Sequence, residues 1–255
     1  MTFGIFLPDE EVKHQRGKPY PALYCLAGLT CNHENFPLKS GFAPFAKKHR
    51  IACIFPDTSP RNTGIEGIDA DWQWGNSASY YVDATSEKAK KHFKMFSYLT
   101  KELPELVSSF FPVDKCNKSV TGFSMGGHGA LITAFKTGEF KSASAFAPIS
   151  NPTVSPNWGT KGYQFFFEKP EEEGKEYDST ELVRSGKAKK VPLLIELGTQ
   201  DQFKKEMLVE NLHNALLEAD YDHIWRERGG YNHSFWYVTS FIEEHFDFHA
   251  KHLQS

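Results

Sequence analysis

The sequence contains no apolar run approaching the roughly 18 to 20 residues that a helix needs to cross a bilayer. Its opening stretch, MTFGIFLPDEEVK, lacks the basic start and long apolar segment of an export signal. Cysteine is scarce, with Cys25, Cys31, Cys53 and Cys116 as the only four, no C-x-x-C pair, and none of the density of a disulfide-stapled scaffold. These absences point to a reducing, cytoplasmic setting. Positive charge is not in excess either: 29 Lys and Arg stand against 32 Asp and Glu, a net charge of −3, which provides no global field for nucleic acid or another acidic polymer. Long linkers, internal repeats and low-complexity tracts are missing, so residues 1–255 are expected to form a single domain.

What is present is material for a core. Hydrophobic residues make up 40% of the chain and aromatics 15%, which excludes a disordered or collagen-like polymer. Short apolar runs alternate with longer helical patterns, the rhythm of an α/β fold with a mainly parallel central sheet flanked by helices. Strands are expected near 2–7, 22–27, 51–55, 119–121, 142–147, 191–197 and 223–227, several of them apolar throughout, as befits strands covered on both faces. Helices are expected near 93–111, 125–137, 204–220 and 234–252, the second ended by Gly138. The stretches 57–83 and 151–178 mix Gly, Pro, Asn and aromatics and are read as functional, lid-like excursions.

The strongest chemical signal is Gly122-Phe123-Ser124-Met125-Gly126, a G-x-S-x-G motif between a β-prone run and a helix-forming one. A serine on such a sharp turn is lifted above the sheet edge, and side chains at 122 and 126 would collide across the turn. The helix starting behind it adds positive potential for an oxyanion. The bland reading is a glycine-rich turn in which Ser124 merely caps a helix. Serine alone is a poor nucleophile, so a base and a residue orienting it are required, in the order acid then histidine for this architecture. Asp201 follows the strand at 191–197 and is the acid candidate, with helix capping as its alternative role; Glu196 lies inside the strand. His233 lies in a loop between the next strand and the last helix and is the base candidate. The backbone N–H groups of Leu29, after the strand at 22–27, and of Met125 are the candidate oxyanion donors.

Other histidines fit less well. His128 falls one turn into the helix after Ser124 and is directed along that helix. His245, His249 and His252 share a helical face without an H-E-x-x-H pattern, so the expectation is a solvated face and no metal site.

Taken together, the residues resemble a known family. Gly28-Leu29-Thr30-Cys31 with Glu34-Asn35-Phe36, Tyr81-Val82-Asp83-Ala84, Gly122-x-Ser124-Met125-Gly126-Gly127-His128-Gly129, Ala145-Phe146-Ala147-Pro148-Ile149 with Asn151-Pro152, Asp201-Gln202-Phe203 and Gly230-Tyr231-x-His233-Ser234 are similar to the S-formylglutathione hydrolase (esterase D) family, from about residue 3 to the C-terminus. The resemblance implies an α/β-hydrolase with a Ser124–Asp201–His233 triad, oxyanion donors at Leu29 and Met125, no cofactor, a cytoplasmic location and a homodimer. It implies hydrolysis of S-formylglutathione to glutathione and formate, in formaldehyde detoxification, with cleavage of simple esters alongside. Cys31 corresponds to a thiol near the site that is not the nucleophile. Trp158 is a candidate wall of the acyl pocket, and Arg61 and Lys161 are candidates for glutathione's carboxylates. The chain departs from the family at Phe123, where His is usual, at Gln73-Trp74 and Ser77-Ala78-Ser79-Tyr80, and at Asn232, where Asp is common. It also begins later than relatives do, which leaves room for an absent first strand or hairpin. The rival readings are a broad carboxylesterase or acyltransferase on the same scaffold and, in a different class, a non-catalytic module, against which the intact Ser, Asp and His argue.

Overall fold

A computed structural model describes residues 1–8 and 18–254. Seven strands form one sheet in the order β1-β3-β2-β4-β5-β6-β7. They are β1 (Phe3–Phe6), β2 (Tyr20–Leu26), β3 (Ala52–Pro56), β4 (Val113–Phe123), β5 (Ala143–Phe146), β6 (Leu193–Gly198) and β7 (Ile224–Arg228). All neighbours pair parallel except β1, which runs antiparallel to β3 at one edge. The mainly parallel α/β sheet expected from the sequence is therefore the one formed. β4 reaches well beyond the short apolar run at 119–121: Val113 is buried and paired with Tyr20 of β2, and Asp114 to Asn117 fall in a register shift between that pair and the Ala22–Lys118 pair, with exposed or half-buried side chains. Four free cysteines complete the picture of a fold without disulfides.

The central strands are covered on both faces, and their period of two divides their side chains between two cores. Ala22, Tyr24 and Leu26 of β2, with Ala52 and Ile54 of β3, face one core. Leu23 and Cys25, with Cys53 and Phe55, face the other. Helices α1 (Asn35–Lys39) and α2 (Ala43–His49) contribute Phe36 and Ala46 to this second core, which is closed by Val238, Ile242 and Phe246 of the last helix. The first core is covered in chain order by α3 (Met95–Ser97), α4 (Leu103–Phe110), α5 (Met125–Thr137), α6 (Thr160–Phe166), α8 (Ser179–Arg184), α9 (Lys204–Met207) and α10 (Val209–Glu218), while α7 (Pro170–Glu173) buries no residue. The last helix is α11 (Phe235–Leu253). Helix α5 is buried nearly all round and ends, as expected, at Gly138, which takes the left-handed conformation at φ 65°.

Two expected helices are interrupted for identifiable reasons. Between α3 and α4 the chain makes a π turn over Tyr98–Glu102, just ahead of Pro104, which has no N–H to give to the preceding turn. The helix expected over 204–220 breaks at Leu208, at φ 51°. There the Met207 carbonyl accepts the N–H of Ser150, from the segment leaving β5. The short helices α6 to α8 lie within or just after the second excursion, where four to seven helical residues leave no periodic signature.

A correction concerns α11. The solvated face expected for His245, His249 and His252 does not form: His245 and His249 are fully buried against the sheet, and His252 is half-buried. His249 bonds through Nδ1 to the Ser142 hydroxyl at 2.8 Å and through Nε2 to that of Ser144 at 2.7 Å, while His245 Nδ1 meets Ser144 at 2.9 Å. Ser144 of β5 and Ser142 just ahead of it bond to both nitrogens of His249 and to Nδ1 of His245, whose buried Nε2 has no hydrogen-bond partner among the described residues; the pattern of α11 alone does not disclose this. Burial holds His245 far below the usual imidazole range, His249 down at about 3 and His128 at about 4. In the unfolded chain these groups take up protons below about pH 6.5, whereas the fold refuses them until near its own lower values. Stability is therefore retained above pH 6.5 and lost as pH falls below it. Urea unfolding at pH 7 and pH 5 is expected to show a smaller loss in His249→Gln than in the unsubstituted protein, by about 2 kcal/mol. An equal loss in both would contradict the buried neutral imidazole.

Candidate active site

The site begins where β4 meets α5. Ser124 is the single residue between Phe123 and Met125, at φ 61° and ψ −119°, a conformation costly for a residue with a side chain. Its N–H donates to the Phe146 carbonyl at 2.9 Å, and its own carbonyl accepts from His128 at 3.0 Å and Ile149 at 3.3 Å. These bonds keep the turn in place. A Cβ at Gly122 would run into the Gly126 carbonyl, and one at Gly126 into the Leu26 carbonyl. Gly28 abuts Ser124 itself, so that a Cβ there would lie 3.1 Å from the serine Cβ.

The candidate acid and base arrive on neighbouring strands. Asp201 follows β6 and His233 follows β7, and His233 Nδ1 lies 2.6 Å from Asp201 Oδ2, with both side chains nearly buried. This bond assigns the ring proton to Nδ1 and leaves Nε2 as the acceptor. The other carboxylate oxygen, Oδ1, accepts the Phe203 N–H at 2.8 Å, which closes the turn after β6 without capping α9, whose N-cap is Phe203 itself. The loops are stitched together by Gln200 N–H to the Tyr231 carbonyl at 2.9 Å, Thr199 N–H to the Arg228 carbonyl at 3.0 Å, and His233 N–H to the Gln202 side-chain oxygen at 3.1 Å. From the sequence Gln202 carries no role beyond its place in the Asp201-Gln202-Phe203 motif; the structure shows it bonded to the His233 backbone.

Ser124 and His233 line one cavity of about 240 Å³, together with the Gly28–Cys31 loop and an aromatic wall. Trp158 belongs to that wall, as expected, and is joined by Phe123, Trp72 and Phe203. Trp158 packs on Phe203 with centroids 4.6 Å apart and meets Trp72 edge-to-face at 5.6 Å. Its loop is anchored by Glu206, which accepts from the backbone N–H groups of Asn157 and Trp158. Leu29 lines the same cavity, while Met125 heads α5 directly behind Ser124. A larger cavity of about 400 Å³, between Val191, Tyr221, Ile224 and Phe248, lies by the opposite ends of β6 and β7 and shares no residue with this one.

The remaining candidates fall in different places. Cys31 lines the cavity, and burial raises its thiol despite the nearby Lys39 and Arg61 charges, which keeps it protonated. Arg61 lies outside the lining: it donates to Asp57 through Nε and Nη2 at 2.8 and 2.7 Å, to Ser77 at 2.8 Å, and to the Cys31 carbonyl at 3.0 Å. Lys161 is exposed in the first turn of α6. His128 is wholly buried, 3.4 Å from the Tyr163 hydroxyl, and does not line the cavity. Glu196 is buried and engaged by Arg228 at 2.6 Å, away from His233 Nδ1, which is taken by Asp201. No cluster of three or more potential metal ligands occurs among the described residues, and no helix among them is long and apolar enough to cross a membrane.

Comparison with known proteins gives the same picture from an independent direction. The Esterase family model matches residues 1–248. The chain is 41% identical to an S-formylglutathione hydrolase from Mus musculus, covering 100% of this chain and 90% of that protein. It is 42% identical to one from Paracoccus denitrificans, covering 99% and 88%. The solved S-formylglutathione hydrolase from Agrobacterium tumefaciens superposes with a TM-score of 0.91 at 34% identity, covering 98% of this chain and 89% of that one. With its mainly parallel sheet, its serine elbow and this extent of identity, the chain belongs to the S-formylglutathione hydrolase family of esterases, within the α/β-hydrolase fold.

Proposed function

We propose that this protein is a serine thioesterase that hydrolyses S-formylglutathione to glutathione and formate and also cleaves short-chain esters. The observation that carries this reading is a serine elbow sharing one cavity with a histidine bonded to a buried aspartate, in a chain of this family. Ser124 attacks the formyl carbonyl while His233 Nε2 takes its proton, and Asp201 holds the tautomer that leaves Nε2 free. The N–H groups of Leu29 and Met125 receive the oxyanion. The thiolate of glutathione departs with the proton from His233. Water then enters, gives a proton to His233 and attacks the formyl-enzyme; the tetrahedral adduct collapses with formate leaving, and the imidazolium returns its proton to the departing Ser124 oxygen. Every step is acid–base and covalent chemistry of this chain, with no call for a cofactor.

Trp158, with Trp72 and Phe203, bounds the space open to the acyl group. For the carboxylates of glutathione, Lys161 is the more available of the two candidate cations, since the Arg61 guanidinium is bonded to Asp57, Ser77 and Cys31. Arg61 is better read as a brace for the loop that carries Leu29 and Cys31. The same reading takes residues 1–255 as one domain, acting as a homodimer in the cytoplasm in the disposal of formaldehyde.

Ser124→Ala is expected to abolish turnover and labelling by a fluorophosphonate, since triad knockouts cost up to about 10⁶-fold; residual kcat above a hundredth of the normal value would exclude Ser124 as nucleophile. Asp201→Asn should cost on the order of 10⁴-fold in kcat by favouring the wrong tautomer of His233. If Glu196→Gln showed that loss instead, the acid would be misassigned. Acyl length gives a third measure, because a cavity closed around a formyl group penalises each methylene by about 1 to 3 kcal/mol. In a series of aryl esters, kcat/KM should fall steeply from acetate through butyrate to hexanoate, and a rise along the series would indicate an open-ended ester groove.

A further inference from the structure

His233 is held by more than its bond to Asp201. The Phe123 ring lies against its imidazole with centroids 4.5 Å apart and planes inclined by 32°. Phe203 meets it edge-to-face at 5.3 Å. Phe123 is braced in turn by Phe235 at 5.2 Å and is almost wholly buried. The origin of these rings matters. Phe123 immediately precedes Ser124, and Phe203 follows Asp201 by two residues, so each segment bearing a chemical partner of the imidazole also supplies an aromatic contact to it. Such fixing is needed, because the loop from β7 enters through Gly229 and Gly230, around whose Cβ positions there is nothing within 4 Å. Rotation of the imidazole about its bond to Cβ would break the 2.6 Å contact to Asp201 and swing Nε2 away from the serine. A ring pressed on its face opposes that rotation.

We infer that Phe123, assisted by Phe203, is a positioning residue for the hydrolysis: it indexes the His233 ring to the peptide that carries Ser124, and its π face favours the imidazolium formed when Ser124 gives up its proton. The inference rests on the triad proposed above. An aromatic face carries negative quadrupole density, so it attracts a cation more than a neutral ring. The other groups around His233 are the Asp201 carboxylate from the end of β6, the Ser124 hydroxyl from the elbow, and the Cys31 thiol across the cavity. Lys204 of α9 is paired with Glu210 of α10 at 2.9 Å and acts on the site through Asp201. Substitution of Phe123 changes the identity of none of these groups.

The test uses the full chain with two substrates, S-formylglutathione and an aryl acetate, and the rate of fluorophosphonate labelling. Phe123→Leu is expected to lower kcat on both substrates and the labelling rate by about tenfold, leave KM within about twofold, and move the acid limb of kcat/KM to lower pH by about half a unit. Phe123→Tyr, which keeps the π face, should restore both the rate and the limb. Should Phe123→Leu not fold, Phe123→Met fills similar volume without a ring and makes the same comparison. A folded variant with normal kcat and an unmoved acid limb overturns the inference, as does one whose only defect is a lower Tm. If the unsubstituted protein is not labelled at all, the triad itself falls and the inference with it. A labelled parent with an unaltered Phe123→Leu variant defeats the inference alone.

Discussion

The site depends on a place where three stretches of backbone leave no room for a side chain. Gly122 at the end of β4, Gly126 in the first turn of α5 and Leu26 at the end of β2 are in such contact that a single added carbon at either glycine would displace a carbonyl. This closeness brings β4 and α5 into a turn one residue wide, and that residue, Ser124, must accept a positive φ as a result. Its strain is offset by three backbone hydrogen bonds from β5 and α5 and from the loop beyond β5. The helix packed so tightly behind the serine is also the source of its electrostatic advantage, since the first N–H groups of α5 have no partners within the helix. Fold and chemistry share one cause here.

The other half of the site is supported from beneath. Arg228 at the end of β7 bonds to the buried Glu196 on β6 and to Glu244 on α11, with its guanidinium 3.9 Å over the Phe241 ring. One side chain thus ties together the strand that leads to the acid, the strand that leads to the base and the helix that follows the base. Deeper in, Ser144 of β5 bonds to both His245 and His249 of the same helix. Replacing such a network by apolar groups is often neutral for stability, whereas removing one member leaves a buried polar group unpaired. The network makes the docking of α11 specific, and the docking of α11 sets the far end of the loop holding His233.

Much of this was legible in the sequence, and the gaps have physical reasons. The central strands could be found because their burial on both faces turns them into apolar runs, as in Ala22 to Ala27, whereas β1 and β7 lie at the sheet edges and are only partly buried. Ser124, Asp201 and His233 stand out as candidates because each follows a strand, at the end of the sheet where such folds gather their sites, and the structure brings His233 onto Asp201 and into one cavity with Ser124. The cavity wall was harder. Trp72 and Phe203 look like ordinary loop aromatics until the tertiary fold brings the two excursions and the turn after β6 together. The histidines of α11 were misread because a helix periodicity reports which residues share a face, and only the serines across the interface reveal that this face is buried. Leu208 interrupts a good helical pattern because Ser150, far away in sequence, takes the carbonyl that would have continued it.

Asp201 divides its carboxylate between two duties, one oxygen on His233 and the other on the N–H of Phe203. The consequence concerns evolvability. Trp72 and Trp158 sit in long excursions outside the sheet, where substitution can reshape the cavity without disturbing the strands. The acid has no comparable freedom. A Glu in its place would reach the imidazole from a different backbone position and would surrender the turn, and an Asn would keep the turn and surrender the tautomer. New acyl specificities on this scaffold are therefore accessible through the walls, while the Asp201–His233 pair is inherited as a unit, bound to the turn in which it is built.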